Sequence, residues 1–176
     1  MNVFIRPGLL LLAGVLAAAA QAAVPPEEPC PQGVPPRFED YAETPVAARP
    51  PHAKLVLDNS FARMFRTRLR TALREDEIDF AGSKILVTFG CGSGCVYGGI
   101  VDARSGRAQA LGLTVHVFGG LRGWDSVFRH RADSRLLGVR GVLREEDERP
   151  MERYFEWTGS AFRPLCVLPV PANAGR

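Results

Sequence analysis

The chain has 176 residues, with 22 Lys and Arg against 19 Asp and Glu, three His and four Cys. A formal charge of +3 argues against nucleic acid as a partner, which would demand a strongly basic face. Residues of the apolar set make up 46% of the sequence, enough for a packed core and too many for a disordered polyelectrolyte.

The first 23 residues read as a secretory leader. Arg6 supplies a weakly basic start, Gly8 to Ala20 form an apolar run, and Ala20-Gln21-Ala22 fits the small-residue pattern of a signal-peptidase site. The run is about a dozen residues, short of the roughly 20 that span a bilayer. Cleavage after Ala22 or Ala23 leaves about 153 residues, enough for one domain with its own core. Removing Arg6 leaves 21 basic against 19 acidic residues. A periplasmic or secreted product with no stable membrane anchor is expected.

Residues 24–57 form a proline-rich arm, with nine prolines between Pro25 and Pro51. Proline fixes φ and removes a donor, so the arm should be extended, with Phe38 and Tyr41 as one patch that tacks it to the core. Residues 58–168 form the domain proper, and residues 169–176 a tail. From Ser60 to about Arg74, Phe61, Met64, Phe65, Leu69, Ala72 and Leu73 make one helical stripe, preceded by the cap candidates Asp58, Asn59 and Ser60. The other faces carry Arg63, Arg66, Arg68, Arg70 and Arg74, read as solvated, with an acidic or anionic partner as the rival reading.

After Lys84 the apolar pattern shortens to strands: 85–89, 96–101, 111–118, 135–143, 151–157 and 162–167. Asp102–Gly106, Ala132–Ser134 and Thr158–Ser160 read as turns. The expected class is α+β, mainly an antiparallel β-meander with one amphipathic helix packed against it. Four adjacent acids, Glu145 to Glu148, lack the alternate spacing of a calcium loop and read as a solvated connection.

Gly90-Cys91-Gly92-Ser93-Gly94-Cys95 is the most specific local feature. Four cysteines in an exported chain allow three pairings. Placed at the ends of facing strands around a Gly92-Ser93-Gly94 turn, Cys91 and Cys95 lie at disulfide distance, which leaves Cys30 to pair with Cys166. A redox reading of Cys91 and Cys95 lacks the C-x-x-C spacing and following helix that lower a thiol pKa, and no Lys or His is adjacent in sequence. A metal reading lacks ligand spacing to His52, His116 or His130. Ser93 lacks the outer glycines of a nucleophile elbow. No metal, cofactor or catalytic set is therefore assigned, and the glycine turn is the expected recognition tip.

Several segments stand in a recognisable order: Phe65-Arg66-Thr67-Arg68-Leu69-Arg70, Asp79-Phe80-Ala81-Gly82, the run from Val87 to Cys95, Val101 to Gly106, Ala132 to Leu137, and Tyr154 to Trp157. Over residues 60 to 166 the chain resembles a family of small secreted or periplasmic proteins of Gram-negative bacteria that carries no assigned activity. In that family His and Tyr follow Phe-Ala-Gly, where this chain has Ser83 and Lys84. The resemblance implies export and a shared fold, and it supplies no mechanism. Together these features point to a binding module whose partner is an envelope protein (an enzyme it inhibits or a toxin it neutralises) or a cell-wall component. Thiol–disulfide or metal handling by Cys91 and Cys95 is the alternative.

Overall fold

Ile85-Leu86-Val87-Thr88-Phe89 is apolar on alternate positions of both parities, so the strand it forms needs cover on both faces. The computed structural model of the chain, which describes residues 27–92, 94–117, 127–143 and 147–170, supplies that cover. The expected leader, Ser93, Glu145, Glu146 and the end of the tail lie outside the described residues.

Two antiparallel sheets stack between a helical layer and the proline-rich arm. The first sheet is β1 (Lys84–Gly90), β2 (Cys95–Asp102) and β3 (Ala108–His116), paired in that order. The second is β4 (Phe128–Arg129), β5 (Leu136–Gly141), β6 (Met151–Trp157) and β7 (Phe162–Pro169), also paired in chain order. The expected meander is present and is divided in two. The division falls after β3, where, among the described residues, the His116–Val142 bridge links the sheets.

Three apolar clusters hold these layers together. Leu86, Val96, Ile100 and Val115 meet Leu137, Val139 and Trp157 between the sheets. Ile85, Val87 and Phe89 face the other way, onto Ala62, Leu69, Ala72 and Leu73 of the helices. On the far side of the second sheet, Leu136 and Tyr154 pack with Cys30, Cys166 and the arm residues Phe38 and Tyr41.

The expected helix breaks at Phe65 into α1 (Ser60–Met64) and α2 (Arg66–Glu75). Asn59 caps α1, its side-chain oxygen accepting from the Ala62 amide at 2.8 Å. Phe65 leaves helical geometry at φ −103° and ψ 20°, and its ring packs 4.3 Å from Phe89 and 5.3 Å from Tyr97 between ring centres. The break changes the phase of the stripe, so Met64, expected in the core, is 72% exposed.

The arm is fastened at more than the single patch expected. Phe38–Tyr41 forms a 3-10 turn whose Phe38 carbonyl accepts from the buried Ser134 hydroxyl at 2.8 Å. Pro29 pairs in parallel with Val167, and the Cys30–Cys166 disulfide sits beside that bridge. Further along, the amides of Glu43, Val46, His52, Ala53 and Val56 all donate to carbonyls of the domain. Of the acidic run, Asp147 is not solvated as expected: it meets Arg153 at 2.7 Å, because that buried guanidinium needs a counter-charge.

Candidate functional site

A disulfide closes the end of the β1–β2 hairpin at the segment expected to be a recognition tip. Cys91 and Cys95 are bonded to each other, with Cα atoms 5.2 Å apart. Gly92 and Gly94 have φ of +126° and +73°, values that only glycine takes without strain. Cys91 and Gly92 are exposed, and Gly94 and Cys95 are half-buried. The Gly94 carbonyl accepts from the Val117 amide at 2.7 Å, which ties the tip to the end of β3. Ser93, the third tip residue, lies outside the described residues. Cys30 and Cys166 form the second disulfide, as elimination suggested. One neighbour is invisible in the sequence: the β2–β3 register sets His116 opposite Cys95. The other two histidines are elsewhere, His130 facing Asp79 at 3.2 Å and His52 meeting the Asp76 carbonyl at 3.1 Å.

A second site was not expected from the sequence. A cleft of about 510 Å³ opens where the arm, the start of β1 and the end of β6 converge, lined by Glu43, Ser83, Lys84, Arg135, Trp157 and Thr158 among others. A smaller recess of about 210 Å³ adjoins it, and the two share Lys84, Trp157 and Gly159. The turn into β1 builds the floor. Ala81 and Gly82 both adopt left-handed φ, and the amides of Ala81 and Gly82 donate to the carbonyls of Ser134 and Ala132. A Cβ on Gly82 would stand 2.9 Å from the Thr44 carbonyl oxygen, so glycine is what lets the arm pass this close.

At the junction of the two recesses, Ser83, Lys84 and Asp102 form a closed network. The Lys84 ammonium donates to Asp102 Oδ2 at 2.5 Å and to Ser83 Oγ at 2.9 Å. The Ser83 hydroxyl donates to Asp102 Oδ2 at 3.0 Å. The other carboxylate oxygen of Asp102 accepts from the amides of Arg104 and Ser105, each at 2.8 Å, which shapes the turn after β2. Burial alone would raise the Asp102 pKa. The Lys84 and Ser105 hydrogen bonds, the Lys84 charge and the Ser83 hydroxyl outweigh it and bring it down from 3.8 to about 2.

The sign of this shift fixes a pH dependence. A carboxyl that titrates lower in the folded chain stabilises the fold above its ordinary pKa and loses that contribution as pH falls toward 2. The difference corresponds to about 2 kcal/mol. Asp102→Asn should lower the unfolding free energy at pH 7 by about that amount. Between pH 4 and 2 the variant should also lack one component of the acid-induced loss that the parent shows in urea melts. Stability curves that run parallel down to pH 2 would contradict this.

The same network limits what the cleft can do chemically. An ammonium held by a carboxylate has no lone pair to take a proton from Ser83, and the serine hydroxyl already donates to that carboxylate. Across the cleft Arg135 meets Glu156 at 2.5 Å and Glu43 at 3.5 Å. Both signs of charge are present, fixed and mutually paired, which suits holding a polar ligand better than activating one. Compared with known proteins, the chain matches no family model, no curated protein and no solved structure.

Proposed function

We propose that the protein is an exported domain, working in the periplasm or outside the cell, that acts by binding rather than by catalysis. Its partner is an envelope protein or a cell-wall component, and the cleft around Lys84 is its principal recognition surface. The leader-like N-terminus and two disulfides support export. The observation that carries the binding reading is the closed Ser83–Lys84–Asp102 network, whose donors and acceptors satisfy one another and whose only acceptor for the hydroxyl is a carboxylate held by Lys84 as too weak a base to activate it.

Ala42 is exposed at the rim of the cleft and belongs to none of its ion pairs, so Ala42→Trp should fill the opening without disturbing the network. Immobilised parent protein should retain a discrete envelope protein or muropeptide fraction unchanged in mass, and the Trp variant should retain less than about a tenth of it. Equal retention by both proteins would refute the cleft. A retained species that emerges chemically altered would refute the non-catalytic reading.

The rival reading, thiol–disulfide handling by Cys91 and Cys95, draws on one observation, the cross-strand placement of His116 beside a partly exposed disulfide. A histidine there would stabilise a Cys95 thiolate once the bond is reduced. A reduction potential for this pair below about −300 mV, the range of inert structural bonds, would eliminate it.

A further inference from the structure

The arm and α2 enclose a groove on the opposite side of the first sheet from the cleft. The arm runs antiparallel to the helices and is tied at both ends: the His52 amide donates to the Leu73 carbonyl at 2.8 Å, and the Arg63 guanidinium donates to the Leu57 carbonyl at 3.1 Å. Ten helical residues rise about 15 Å and five extended residues span about 17 Å, so the two walls match in length. Between the ties lies a recess of about 350 Å³. Its floor is apolar, with Leu55 and Leu73, and its rim carries Lys54, Arg70 and Arg74.

The charges on this rim are unevenly satisfied. Arg74 pairs with Glu75, and the neighbouring Arg68 with Asp76. Lys54 and Arg70 are exposed and meet no carboxylate among the described residues, while Arg63 and Arg66 donate only to backbone carbonyls. Arg66, Arg70 and Arg74 repeat at four-residue spacing, and α2 has no acid before its last residue, Glu75. Like charges at that spacing, together with a cation in the first turn, disfavour the helix. A ligand of opposite sign would relieve that repulsion.

We propose that this groove is a second binding site, independent of the cleft, for an acidic peptide segment held in extended conformation. Carboxylates at alternate positions would reach Lys54 and Arg70, the arginine by a two-pronged contact, with an apolar side chain between them on Leu55 and Leu73. The recess favours a peptide over a lipid surface, because a flat bilayer meets ridges and cannot enter a groove walled on both sides.

The test is fluorescence anisotropy of a labelled Glu-Leu-Glu-Leu-Glu peptide with the full chain at low ionic strength. Saturable binding is expected. It should weaken about fivefold or more in Lys54→Glu and in Arg70→Glu, and also when the leucines of the probe are replaced by serine. Arg149→Glu, an exposed charge away from the groove, should leave it unchanged, and all three variants should keep the parent melting temperature. Equal loss in Arg149→Glu, equal binding of a Lys-Leu-Lys-Leu-Lys probe, or binding of anionic phospholipid vesicles without binding of the peptide would overturn the proposal.

Discussion

Replacing Cys30 and Cys166 together with alanine should lower the unfolding free energy by about 5 kcal/mol, against about 2 kcal/mol for the same change at Cys91 and Cys95. The difference comes from the unfolded chain. The first bond closes a loop over a sequence separation of 136 residues and the second over only 4, so the first removes far more conformational freedom from the denatured ensemble. The folded state changes less, since Cys30 and Cys166 are buried at 3% and 9% exposure among Leu136 and Tyr154, where two alanines leave a small void. At the tip the ladder from Lys84–Asp102 to Gly90–Val96 persists without the sulfur bond. Against a typical total of 5–15 kcal/mol, loss of the long bond leaves a marginal fold. Urea unfolding with its slope checks this, because an uncrosslinked chain exposes more surface and the slope should rise with the long bond removed. Equal losses in the two variants would contradict the loop argument.

Arg153→Met should cost about 3–5 kcal/mol, the largest effect expected of any single side chain here. The Arg153 side chain is 4% exposed, and it holds Glu27 of the arm at 2.6 Å and Asp147 of the β5–β6 connection at 2.7 Å. Burial works against the guanidinium charge, but the two carboxylates outweigh it and push its pKa up. Methionine fills similar volume and takes away the buried guanidinium that both carboxylates meet, Asp147 at only 9% exposure. Adding Asp147→Asn to Arg153→Met should therefore recover part of the loss, whereas Asp147→Asn alone should destabilise. Strictly additive effects in that double-mutant cycle would show that the pair is not coupled.

What the sequence disclosed depended on how local each signal was. The β1–β2 hairpin was legible because a β-branched run meets a glycine turn, and the 151–167 hairpin because Thr158-Gly159-Ser160 punctuates two strand-like runs. Phe128–Arg129 carries no pattern of its own and becomes β4 only by pairing with Gly138 and Val139. The break at Phe65 was hidden because that residue fits the helical stripe, and its reason to leave the helix, packing on Phe89 and Tyr97, is tertiary. The tip was legible as six consecutive residues. The cleft was not, since Glu43, Ser83, Asp102 and Arg135 come from four separated segments. Its one local trace is the Asp102-Ala103-Arg104-Ser105-Gly106 turn, whose first carboxylate faces its own backbone with one oxygen and Lys84 with the other.

The position of the Cys30–Cys166 bond also has a mechanical consequence. Its Cα atoms are 4.8 Å apart, at the two edges of everything between residues 31 and 165. Tension applied between residues 27 and 170 therefore passes through one covalent bond and bypasses the first sheet, the helices, the cleft and the groove, loading only the end of β7 in the second sheet. Under such a load the short pairings of Glu28 and Cys30 with Val167, the Glu27–Arg153 contact, the last residues of β7 and the Val170–Pro150 hydrogen bond peel away. The rest of the molecule stays slack, so the recesses keep their shape while the ends are pulled.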